Sequence, residues 1–196
     1  MLRLPTVPRP ADAPPATPAK RRFMNPGEAE ALLALVRQAR APGGPRRMIE
    51  IGVNEGLTAR YLLAQLPGLV EYIGIDVLPG YVPACQVQRH EVPREPGRLV
   101  EDPRFILLLR PRGSLGLRPE QLGPADVVFI DGDHGRAAVT NDSALAHAIV
   151  RPGGMIIWHD YHDLGNVDVR DVLHELADAG HIIKRVTATW LAFERV

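Results

Sequence analysis

Two stretches of this 196-residue chain carry residues able to do chemistry, at positions that a sheet would bring together. Val127-Val-Phe-Ile-Asp-Gly-Asp-His134 and Met155-Ile-Ile-Trp-His-Asp-Tyr161 are apolar, β-branched runs that each end in a cluster of Asp and His. Such runs read as buried parallel strands, and open α/β sheets hold their chemistry just beyond the carboxyl ends of those strands. Side by side, the two would gather Asp131, Asp133, His134, His159 and Asp160 round one crevice. Carboxylates mixed with imidazoles suit proton transfer or a divalent cation. A hydrogen-bonded cap on the strand ends, with no metal, is the alternative.

Positioning those ends requires a layered scaffold, and the rest of the chain alternates accordingly. Residues 1–22 form a separate region rich in Pro and Ala, with several Arg and Lys, expected to be an extended or disordered tail. One domain over 23–196 follows. Its first helix should start with Asn25 as N-cap and Pro26 in the first turn, and stop at Gly43-Gly44-Pro45. Strands are expected over 47–53, 70–77, 105–109, 126–131 and 155–159, and helices over 57–65, 119–122, 137–150 and 168–179. Residues 181–187 and 189–194 read as a terminal strand pair that adds an antiparallel strand at the sheet edge. Residues 80–103, broken by prolines, should be an irregular helix or loop over the pocket. The fold class is therefore α/β: a doubly wound, mostly parallel sheet with an antiparallel C-terminal strand.

Composition narrows the function. With 23 basic and 23 acidic residues the net charge is zero, which gives little grip on nucleic acid. No apolar run reaches the ~18 residues of a membrane span, and no signal-peptide centre is present. Cys85 stands alone and cannot form an intrachain disulfide, so a cytoplasmic setting is the expectation.

Met48-Ile-Glu-Ile-Gly-Val-Asn-Glu-Gly56 is a strand entering a glycine turn and then a helix. A ligand lying over a strand end needs backbone without Cβ, which Gly52 and Gly56 offer. Asn54 occupies the place of a middle glycine, so this is not the dinucleotide fingerprint, and a nicotinamide-dependent dehydrogenase is disfavoured. Asp76 closes the next strand, where a carboxylate can accept from both hydroxyls of a ribose. A tight turn beside a solvated Asp is the alternative reading.

Glu50, Gly52, Gly56 and Asp76 together resemble the class I S-adenosylmethionine-dependent methyltransferases, and the likeness runs from about Asn25 to the C-terminus. It implies that S-adenosylmethionine is the cofactor, with its amino-acid end near Glu50, Gly52, Asn54 and Gly56, its ribose on Asp76 and its adenine near Ser114 of Gly113-Ser114. The two Asp/His strand ends resemble the small O-methyltransferases of the catechol-type and antibiotic-tailoring branch. That resemblance implies a divalent cation (Mg²⁺, Mn²⁺ or another) on Asp131, His159 and Asp160, and a general base at His134, where those relatives carry a lysine. It implies a small-molecule hydroxyl as acceptor; from the neutral charge no membrane or nucleic-acid partner is expected, and a homodimer is left open. This chain departs from the pattern at His159, which shifts the preference from Mg²⁺ toward softer ions, and at Arg136, where relatives often have Tyr. These departures keep open a methyltransferase-like scaffold that binds without catalysing.

Overall fold

The computed structural model describes residues 4–8, 24–25, 27–39, 43–82, 92–164 and 167–196. Pro26, Cys85, His90 and most of the proline-rich tail lie outside the described residues. One eight-stranded sheet runs in the order β1-β7-β8-β6-β5-β2-β3-β4. The strands are β1 (Thr6–Val7), β2 (Arg47–Ile51), β3 (Glu71–Val77), β4 (Phe105–Arg110), β5 (Ala125–Ile130), β6 (Val150–Trp158), β7 (Lys184–Val186) and β8 (Ala192–Arg195). The helices are α1 (Glu28–Gln38), α2 (Leu57–Gln65), α3 (Pro119–Leu122), α4 (Arg136–Ile149) and α5 (Val169–Asp178). β2 to β6 pair in parallel; β8 runs antiparallel to both β6 and β7. This is the doubly wound sheet expected from the alternation of apolar runs.

The period of two along each strand divides the core into two layers. Ile49, Ile51, Val128, Ile130, Ile156 and Trp158 pack on α4 and α5, whereas Met48, Val127, Phe129, Met155 and Ile157 pack on α1 and α2. Helices cover both faces, which is why the central strands are apolar throughout. The chain leaves β2 outward through β3 and β4, then returns to β5 on the other side. The crevice at this reversal of strand order lies between Gly52 and Asp131. There Gly52 has φ +90°, and a Cβ on it would stand 2.0 Å from the Asp131 carbonyl oxygen. Gly52→Ala is therefore expected to destabilise the fold by at least about 2 kcal/mol, seen as a Tm drop of about 4–8 °C; an unchanged Tm would refute the close approach.

Several boundaries differ from expectation. Asn25 does not cap α1; Gly27, with φ 80°, does, and the Asn25 N–H instead donates to Glu28 Oε2 at 2.9 Å. β2 ends at Ile51, not 53, because Gly52 turns the chain. β6 starts at Val150, so Pro152-Gly153-Gly154 belongs to the strand and not to the turn before it. The antiparallel strand β8 lies inside the sheet, and the edge is β1, paired in parallel with β7. The start of the tail is thus docked and not disordered: Leu4 is buried, and the Arg185 N–H donates to the Pro5 carbonyl. Residues 92–103 contain neither helix nor strand, and they reach the glycine turn through Gly97 N–H to Asn54 O (2.7 Å) and Leu99 N–H to Glu55 O (3.0 Å). Among the described residues no helix is long and apolar enough to cross a membrane.

Candidate functional site

Two adjoining features occupy the carboxyl ends of β2, β3, β5 and β6. The first is a cleft enclosing about 350 Å³ of space open to solvent, lined by Gly52, Asp76, Tyr81, Ser114, Asp133 and Asp142 among others. The second is a half-buried cluster of Asp131, His134 and Asp160, whose donor atoms lie within 4.8 Å of one another. Gly132 and Asp133 join them, since both line the cleft while their neighbours in sequence form the cluster.

Asp76 organises the cleft. Its Oδ2 accepts the Val53 N–H (2.8 Å) and the Asn54 N–H (2.7 Å), and Oδ1 accepts its own neighbour, the Val77 N–H (2.7 Å). These bonds fix the β2–α2 turn and hold Asn54 at φ 51°. Burial pushes the Asp76 carboxyl up, against the opposing pull of the three N–H donors. Of the expected cofactor residues, Gly52, Asp76 and Ser114 line the cleft, whereas Glu50, Asn54 and Gly56 do not. Glu50 is fully buried below the turn; burial pushes its carboxyl well up, and the Tyr72 hydroxyl donates to it at 2.9 Å. Gly56 begins α2, where a Cβ would meet Val100 at 2.5 Å.

Ser114 donates its hydroxyl to Asp142, which also accepts from Asn141 Nδ2 at 3.0 Å. Sequence reasoning missed Asp142, although a carboxylate at position 142 interrupts the apolar stripe Val139, Leu145, Ala146, Ile149 of α4. Burial raises its pKa from 3.8 to about 6, against the Ser114 and Asn141 bonds. Burial penalises the ionised form, so the stability this group contributes is complete below pH 3.8 and lost as pH rises through about 6. That rise corresponds to about 3 kcal/mol. Asp142→Asn should therefore gain about 3 kcal/mol relative to wild type between about pH 4 and about pH 7.5 in urea unfolding. A difference that does not vary with pH would contradict the assignment.

In the cluster, His134 Nε2 lies 2.7 Å from Asp160 Oδ2. His159 stands behind it. Its Nδ1 lies 3.1 Å from Asp160 Oδ2 and 3.3 Å from Asp131 Oδ1, and its Nε2 lies 3.2 Å from Glu28 Oε2. Burial opposes charge on His159, but Asp131, Asp160 and Glu28 outweigh it and hold the imidazole well above its usual range. Burial likewise opposes ionisation of Asp160 and Glu28, and their histidine partners hold both carboxyls below the usual value. Asp160 has φ 57°, a left-handed backbone that ends β6 and turns its carboxylate onto His134, His159 and His162.

The expected trio of Asp131, His159 and Asp160 is thus modified. All three meet, but His159 is engaged by carboxylates on both ring nitrogens, and His134 joins the two Asp residues as the third donor. Glu28, an acid in the first turn of α1, is the buried anchor of His159. Arg136 pairs with Glu175 at 2.6 Å on the exposed side of α4 and α5. Trp158 is core, donating Nε1–H to Ser143 Oγ at 3.0 Å.

Residues 49–161, more than half of the chain, match the family model described as a methyltransferase domain. The chain belongs to that family, the class I S-adenosylmethionine-dependent methyltransferases. A search of curated proteins returns no significant match. Among solved structures, a Staphylococcus aureus protein assigned as a caffeoyl-CoA O-methyltransferase superposes with TM-score 0.60 at 14% identity, over 85% of this chain and 81% of that one. The O-methyltransferase TomG from Streptomyces achromogenes, in complex with S-adenosylmethionine, gives 0.52 at 18% identity, over 84% and 76%. The MycE methyltransferase of mycinamycin biosynthesis gives 0.48 at 19% identity; 76% of this chain is covered, but only 44% of that protein's length.

Proposed function

We propose that the chain transfers the methyl group of S-adenosylmethionine to a hydroxyl of a small molecule, at the Asp131–His134–Asp160 cluster. One observation carries this reading: the three donors converge within 4.8 Å on strand ends that continue directly into the cleft wall. The cleft suits the cofactor on its chemistry. Asp76, Asp133 and Asp142 give it acidic walls, complementary to a sulfonium and an ammonium group, and Asp76 offers acceptor oxygens for a ribose diol. TomG, of the same fold, was crystallised with S-adenosylmethionine.

The cluster also fits a divalent cation. Two carboxylates and an imidazole form a mixed oxygen and nitrogen set, better suited to Mn²⁺, Fe²⁺ or Zn²⁺ than to Mg²⁺. A cation bound there supplies Lewis acidity that lowers the pKa of an acceptor hydroxyl. His159 holds the Asp131 and Asp160 carboxylates in place, and Glu28 ties His159 to α1. A second reading is favoured by the 2.7 Å contact of His134 with Asp160: the carboxylate orients the imidazole as general base and no metal is required.

Chelation separates the two. Release of S-adenosylhomocysteine is followed with a panel of phenols, catechols and sugars. EDTA-treated, desalted protein is expected to lose activity at least about tenfold and to regain it with Mn²⁺. Full activity without added cation would remove the metal reading and leave His134 as base. His134→Gln would then cut turnover at least about 100-fold.

A further inference from the structure

A second group of donors lies away from the cleft. His147 near the end of α4, His181 after α5 and Glu194 on β8 bring one ligand atom each to within 4.8 Å of one another. Glu194 pairs across the sheet with Ile156, which lies about 7 Å along β6 from the strand end at Trp158 and four residues before Asp160. The group is separate from the Asp131 cluster.

The geometry of the three side chains is what points to a cation. His147 Nδ1 lies 2.7 Å from the Ser143 carbonyl oxygen, which can only accept, so Nδ1 carries the hydrogen. In the neutral ring Nε2 then presents a lone pair, and it faces Glu194 Oε2 at 2.8 Å, another lone pair. A proton or a cation must be shared by the two. His181 Nδ1 faces the same carboxylate at 3.2 Å from both oxygens, and the two imidazole rings stand 4.2 Å apart. A ligating His commonly gives its other N–H to a backbone carbonyl, the arrangement His147 has with Ser143.

We propose that His147, His181 and Glu194 form a binding site for Zn²⁺ that clips β8 to α4 and to the segment after α5. Two imidazoles and a carboxylate are a zinc donor set, and tetrahedral ligands at zinc distances stand about 3.3 Å apart. The observed separations of 2.8 and 3.2 Å need only small adjustments. Glu194 is buried, and both histidines are partly open to solvent, which leaves an entry path and room for a water as fourth ligand.

The test uses the full chain, stripped with EDTA, desalted and titrated with Zn²⁺ against a chromophoric chelator. Asp131→Asn/Asp160→Asn, which disables the other cluster, should keep one Zn²⁺ per chain with affinity within about twofold of wild type. Adding His147→Gln/His181→Gln to that variant should weaken the remaining Zn²⁺ at least about 100-fold. Loss of zinc in the first variant, or its retention in the second, overturns the proposal. Crystals of the wild type grown with Zn²⁺ decide independently, should the second variant fail to fold. An anomalous peak among the three side chains supports the site. Its absence there also overturns the proposal.

Discussion

Replacing Asp160 by Asn should lower methyl transfer by about 1000-fold while leaving affinity for S-adenosylhomocysteine within about twofold. The substitution keeps shape and backbone, because Asn tolerates the left-handed conformation that Asp160 adopts at φ 57°. What it removes is charge. Asp160 faces His134 at 2.7 Å, His159 at 3.1 Å and His162 at 3.4 Å, so its carboxylate is shared by three imidazoles. Either mode of activating the acceptor depends on it, as a cation ligand or as the group that orients His134. The cleft, in contrast, is lined without it. Single-turnover kinetics with calorimetry of the product complex reads both quantities. A variant that keeps full turnover would remove the cluster from the chemistry; one that loses the cofactor as well would make Asp160 a structural residue.

The second large effect is expected at Asp76. Asp76→Ala should weaken S-adenosylmethionine binding at least about 100-fold in equilibrium dialysis and reduce stability by about 2–4 kcal/mol. The two losses have different origins. Removing the carboxylate takes the acceptor from the Val53 and Asn54 N–H groups, and these donors lie in a turn already held at positive φ. It also removes the acceptor oxygens proposed for the ribose. Asp76→Asn retains one acceptor oxygen for the turn and should recover most of the stability but little of the binding. If alanine leaves binding intact, the cofactor does not lie over the end of β3.

The scaffold was legible in the chain because both sheet faces are covered, so that Val127–Ile130 and Met155–Trp158 read as unbroken apolar runs. Glycine spacing was legible too, but part of its cause was not. Gly52 and Gly56 admit the Asp131 backbone and Val100 as closely as they would admit a ligand, and sequence alone cannot separate those demands. Glu28 was hidden by distance: it lies 131 residues from His159, and an acid in a first turn already has a sufficient reason in the helix dipole. A subtler signal was available at His159. It shares strand parity with Met155 and Ile157, whose side chains face α1, and α1 carries Glu28. The docked start of the tail was hidden by prolines that recur from Pro5 to Pro18, so the short Thr6–Val7 strand paired with β7 did not stand out.

Central to the proposed function, the cleft holds the cofactor and the neighbouring Asp131–His134–Asp160 cluster activates the acceptor hydroxyl that takes the methyl group. A crystal structure of the chain soaked with S-adenosylhomocysteine tests it most directly. The ribose is expected on Asp76, the chain of the amino acid along the Gly52 turn, and the sulfur facing the cluster. Binding outside the cleft, or an empty cleft at saturating concentration, would contradict it.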